Sequence, residues 1–82
     1  MERRNGKTAR IPLFDIHLAA FLLLNNESPE LTKEGTRVIF EFPSTDVVHT
    51  LLRQYQTNPP VNVLDYAGAL RRLRSMMLSM RG

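Results

Sequence analysis

Ile16-His17-Leu18-Ala19-Ala20-Phe21-Leu22-Leu23-Leu24 is the stretch that decides how this chain must fold. At about 100° per residue its apolar positions fall on every side of a helix, so a single sheltered stripe does not satisfy it and neighbouring elements must enclose it. At roughly 1.5 Å per residue the run reaches about 13 Å, well short of the roughly 20 apolar residues that cross a bilayer. It reads as a buried core helix. Asp15, just before it, is a strong N-cap, because its carboxylate accepts from the free amides of the first turn and its charge suits the positive helix end. Asn25-Asn26-Glu27-Ser28-Pro29 closes it with turn formers and a proline that bars continuation.

Further along the chain, Glu30 to Phe42 reads as a two-stranded antiparallel β-hairpin. Val38, Phe40 and Phe42 alternate with Arg37, Ile39 and Glu41, which gives one apolar face directed at the first helix. Lys33-Glu34-Gly35 fits a short turn in which Gly35 takes a left-handed conformation that a side chain resists. Two strands alone are marginal, and short extended segments at 11–14, interrupted by Pro12, and at 60–63 are the candidates to extend them. Pro43-Ser44-Thr45-Asp46 signals a second helix, capped by Ser44 or Thr45, on which Val47, Val48, Leu51, Leu52 and Tyr55 fall within about 140° of arc. Thr57-Asn58-Pro59-Pro60 ends it.

A third helix begins at Asn62, with Asp65 completing a capping-box-like start and Val61 stapling onto Tyr66. Tyr66, Ala69, Leu70, Leu73, Met76, Met77 and Met80 occupy about 120° of its circumference. Gly68 costs about 1 kcal/mol against alanine there, and Ala67-Gly68-Ala69 offers a surface for close approach of a second backbone, with Ala19-Ala20 as the candidate. The expected fold is α+β, in the order (β)αββαα.

The chain has 82 residues and no cysteine. That length suits one small domain, residues 10–82, burying only about 60–65% of its unfolded surface. The lack of cysteine removes disulfides, thiolate ligands and thiol catalysis, and points to a reducing compartment, with the cytoplasm as the expected location. An Arg-rich start before an apolar run resembles a signal peptide, but Asp15 and His17 interrupt the run and Asn-Asn-Glu follows it in place of a small-residue cleavage site. Met1 to Ala9 is polar and basic, without apolar periodicity, and reads as a disordered arm.

The net charge of +3 is unevenly distributed. Residues 1–10 hold Arg3, Arg4, Lys7 and Arg10 against Glu2, and residues 63–82 hold Arg71, Arg72, Arg74 and Arg81 against Asp65. Between them Asp15, Glu27, Glu30, Glu34, Glu41 and Asp46 outnumber Lys33, Arg37 and Arg53. The acidic middle therefore attracts either basic end, and an internal partner for the charge is as plausible as an external one.

Asp15 with Ala19-Ala20-Phe21-Leu22, the strand Val38-x-Phe40-x-Phe42, and Tyr66 spaced to Leu70 and Leu73 resemble a small domain of unknown function found in bacteria and their phages. The resemblance covers residues 11–78 and rests on apolar positions. It implies a compact α+β domain of prokaryotic or phage origin with no established activity, and it transfers no catalytic or binding residue.

Chemistry is sparse in this sequence. His17 and His49 are distant in the chain and lack metal-ligand spacing, so no metal or cofactor is expected. No serine sits in a Gly-x-Ser-x-Gly context, and four scattered glycines form no phosphate loop. The chain reads as non-enzymatic, with no small-molecule substrate and no membrane association. Two binding readings follow. Met76, Met77, Leu78 and Met80 form an adaptable apolar end suited to a protein partner or a second copy of the chain. Arg3, Arg4, Lys7 and Arg10 on the arm, with Arg71, Arg74 and Arg81 on the last helix, would instead neutralise nucleic-acid phosphates, although no aromatic is interleaved to stack on bases.

Overall fold

The architecture comes from a computed structural model that describes residues 9–81, with the side chain of Arg81 outside that description. Its elements are β1 (Arg10–Leu13), α1 (Ile16–Leu24), β2 (Glu30–Glu34), β3 (Arg37–Pro43), α2 (Asp46–Tyr55) and α3 (Val63–Arg81). The α+β class and the order β-α-β-β-α-α follow the expectation. The arm expected over residues 1–9 lies outside the described residues apart from Ala9, whose carbonyl accepts from the Ser44 amide at 3.1 Å.

The sheet corrects the two-stranded hairpin. It has three antiparallel strands in the order β1-β3-β2, with β3 in the centre. Arg10 pairs with Pro43 and Leu13 with Phe40, so β1 occupies the free edge that the hairpin alone would leave on β3. Pro12 is tolerated there because an edge strand need not donate an amide on its open side. The 60–63 segment does not join the sheet; it leads into α3.

Strand parity divides the sheet into two faces. Ile11, Leu13, Leu31, Phe40 and Phe42 face the helices, where Phe40 is 1% exposed. Arg10, Pro12, Arg37, Ile39 and Glu41 lie on the other side. Ile39 is nevertheless buried. Phe14 continues the β1 register beside it and carries the Arg37 guanidinium 4.8 Å from its ring centroid. Arg10 reaches across the central strand to Glu30 at 3.2 Å.

On the helix-bearing face α1 packs against α3 and α2. Ala19, Ala20, Phe21 and Leu22 are buried in succession, and four consecutive helical residues cover the whole circumference, so the middle of α1 is surrounded. Enclosure along the entire run is corrected. Ile16, Leu18, Leu23 and Leu24 are half-buried and His17 is exposed, because the neighbours reach past only the central turn. Phe40, Phe42, Val48, Leu51, Ala69 and Leu73 complete the same core cluster. Phe21 also meets Tyr55 of α2, with ring centroids 5.6 Å apart.

Local chemistry accounts for the ends of these elements. Asp15 accepts from the His17 amide at 2.9 Å, and Thr45, rather than Ser44, caps α2 by accepting from Val48 at 3.1 Å. At the start of α3 the Asn62 carboxamide donates to the Asp65 carboxylate at 3.2 Å, joining the two residues side chain to side chain. Gly35 has φ +65° and nothing within 4 Å of where a Cβ would sit. Its requirement is therefore one of backbone conformation alone, and Gly35→Ala is expected to cost about 1 kcal/mol, read as a lower urea midpoint.

α3 packs against α1 with Ala69 and Ala19-Ala20 in one buried cluster, but Gly68 itself makes no close contact. A Cβ there would meet nothing within 4 Å, while Ala69, one residue on, is buried in the core. Packing therefore does not require the glycine. Gly68→Ala is expected to stabilise the domain by about 0.5–1 kcal/mol, and thermal unfolding of the two proteins checks the sign.

Tyr66 ties α3 to α1 by donating its hydroxyl proton to the His17 carbonyl at 3.0 Å. Burial raises its pKa, with smaller contributions in the same direction from Tyr55 and the Asp15 charge. A folded-state pKa above the unfolded value means that the unfolded chain loses its proton first, so stability present below about pH 10 falls as the solution becomes more alkaline. Urea midpoints measured across that range should fall less steeply for Tyr66→Phe than for the parent.

Candidate functional site

The hairpin extends beyond the helix layer, and that mismatch creates a groove. Leu31 and Lys33 share the helix-facing side of β2, and Lys33 pairs directly with Val38 on β3. Leu31 and Phe40 lie under the helices, whereas Val38 is half-buried and Lys33 is exposed. The C-terminal half of α3 supplies the opposite wall. The resulting groove, of about 520 Å³, is lined by Lys33, Thr36, Val38, Arg74, Met77 and Leu78 and has a mainly apolar wall.

Leu78 is 63% exposed, on the side of α3 turned away from buried Ala69 and Leu73. Arg71, Arg74 and Leu78 recur at helical spacing on that side, and of these Arg74 and Leu78 line the groove. Among the described residues no acidic side chain lines the groove. Among the described residues, neither Lys33 nor Arg74 takes part in an ion pair.

Of the expected interface residues, Met77 and Leu78 line the groove; Met76 packs on the core, and Met80 is half-buried near the end of α3. Of the expected basic residues, three have described side chains: Arg10, Arg71 and Arg74. Arg71 and Arg74 are exposed on α3, while Arg10 lies on the outer face of the sheet, paired with Glu30. Strand parity sets that placement, since Arg10 alternates with the inward-facing Ile11. Arg3, Arg4 and Lys7 lie outside the described residues, as does the side chain of Arg81.

Sequence periodicity missed the other wall of the groove. Lys33 reads as part of a turn, although its two-residue spacing from Leu31 was the available signal that it faces the helices. It also overextended the apolar arc of α2, because Val47 is 56% exposed. Val63 and Leu64 are likewise exposed, at 77% and 82%, in the first turn of α3. Another hollow lies at Pro59–Val61, of about 610 Å³, between Phe21, Leu24, Gln54 and Asp65.

The histidines are engaged locally. His17 Nδ1 lies 3.3 Å from Asp15 Oδ1, and His49 Nε2 lies 2.9 Å from Ser44 Oγ. Among the described residues no group of three His, Cys, Asp or Glu side chains is placed to hold a metal ion. No described helix is long and apolar enough to cross a membrane. No family model matches the chain, and neither a curated protein nor a solved structure matches it.

Proposed function

We propose that this chain is a non-enzymatic protein-interaction module whose contact surface is the groove between the tip of the β2–β3 hairpin and the C-terminal half of α3. The observation that carries the reading is the exposure of Leu78 beside Val38 and Met77. A lone exposed leucine needs no explanation, but one that forms the rim of an apolar groove offers area to a partner. Methionine at the wall adapts its shape to what is seated on it.

The sheet edges favour the same surface over strand addition. β1 carries Pro12, and β2 carries Glu30, Lys33 and Glu34, features that discourage pairing with another strand. Nucleic acid is the weaker reading. The groove has no aromatic side chain to stack on a base, and Arg10 is turned away from Arg71 and Arg74.

A photo-crosslinking residue placed at Leu78 and, as a control, at exposed Thr50 of α2 tests the reading in cells that make the protein. The expected result is a discrete protein adduct from position 78, either a second copy or a different chain, absent from position 50 and diminished by Arg74→Glu. Adducts to nucleic acid, or equal labelling from both positions, would overturn it.

A further inference from the structure

We propose that the occupant of this groove is an acidic amphipathic helix of a partner protein, seated along α3 with carboxylates toward Lys33 and Arg74 and an apolar side chain on Val38, Met77 and Leu78. This rests on the reading of the groove as a protein-docking surface and adds the chemistry of the partner.

Charge complementarity is the first argument. Lys33 on β2 and Arg74 on α3 bring one cation from each wall to an apolar floor, and among the described residues no acid lines the groove. A neutral apolar segment would leave both cations without counter-charges while displacing water from them, and a basic one would be repelled. An acidic segment gains charge-assisted hydrogen bonds at both walls, and the guanidinium of Arg74 can engage a carboxylate through two parallel donors.

The shape of the surface selects a helix. Arg71, Arg74 and Leu78 step along α3 at intervals of three and four residues, the spacing at which side chains share one helix face. A second helix laid alongside presents its own side chains with the same period, so acidic and apolar groups one turn apart meet cations and Leu78 in register. An enclosed small-molecule site buries about 70–90% of its ligand. A wall whose outermost leucine is 63% exposed instead suits a longer segment that runs on past Leu78.

Selection from a displayed library of random peptides of about 16 residues, roughly four helical turns, against the immobilised full chain tests this. The enriched peptides are expected to be net acidic, with apolar residues recurring every three or four positions. Their affinity should fall about tenfold or more for the Lys33→Glu/Arg74→Glu chain. Both substituted residues are exposed, and circular dichroism checks that the variant remains folded. Neutral or basic peptides that still lose binding on Leu78→Glu would overturn the acidic occupant and leave the docking surface standing. Peptides indifferent to all three substitutions, or no enrichment beside duplex DNA binding that needs Arg71 and Arg74, would overturn both.

Discussion

Phe40→Ala is expected to destabilise the domain by about 3–5 kcal/mol, among the largest losses that a single truncation should produce here. Phe40 is 1% exposed, on the central strand, and packs in the same cluster as Ala19 to Leu22 of α1, Val48 of α2 and Leu73 of α3. Its ring is therefore held by the sheet and by the helix layer together. Its removal takes away the transfer free energy of the ring and leaves a cavity that four elements must shift to close. A domain of this size has about 4–12 kcal/mol of stability in total, so the variant should be partly unfolded at room temperature or have a greatly reduced urea midpoint.

Phe14→Ala is the matched comparison. It deletes the same ring from a position that is 56% exposed, with the Arg37 guanidinium 4.8 Å from the ring centroid, and should cost less than about 1 kcal/mol. Equal losses from the two substitutions would mean that Phe40 does not join the sheet to the helices.

The contrast between these phenylalanines also separates what the sequence shows from what it does not. Asp15, Thr45 and Gly35 act on atoms within a few residues of themselves, so their roles can be read from spacing. The burial of Phe40 and Phe42 follows from alternation along one strand. Whether Ile11 to Leu13 forms a strand depends on a partner at Phe40 to Pro43, and a short segment containing a proline carries no local signal strong enough to decide it. The same distinction governs the candidate site. Helical spacing places Leu78 beside Arg71 and Arg74, and the structure keeps those residues exposed on α3. That Lys33 faces them depends on the β2–β3 register and on where the helix layer stops, both of them non-local. Net charge by segment likewise carries no information on which side of a strand a residue occupies, so the placement of Arg10 on the outer face of the sheet is not legible from it.

Ala20→Leu should destabilise the domain by about 1–3 kcal/mol, although leucine is the more hydrophobic residue and α1 is already rich in it. Ala19 and Ala20 are both fully buried, in the part of α1 that packs against α3 and α2, and buried Ala69 stands in the same cluster. Small side chains there let helix axes approach closely, and a larger one must find space that a close-packed interior does not hold. The added carbons force side chains off their rotamers or push α1 away from its neighbours, which would loosen the Tyr66 hydroxyl from the His17 carbonyl. Gly68→Ala adds a methyl to a helix where space is open and should have the opposite sign. Urea titrations of both variants with the parent therefore test the packing of the helix layer from two directions. A neutral or stabilising Ala20→Leu would show that the middle of α1 is not surrounded, and the explanation of why its apolar residues run all the way round the helix would fail with it.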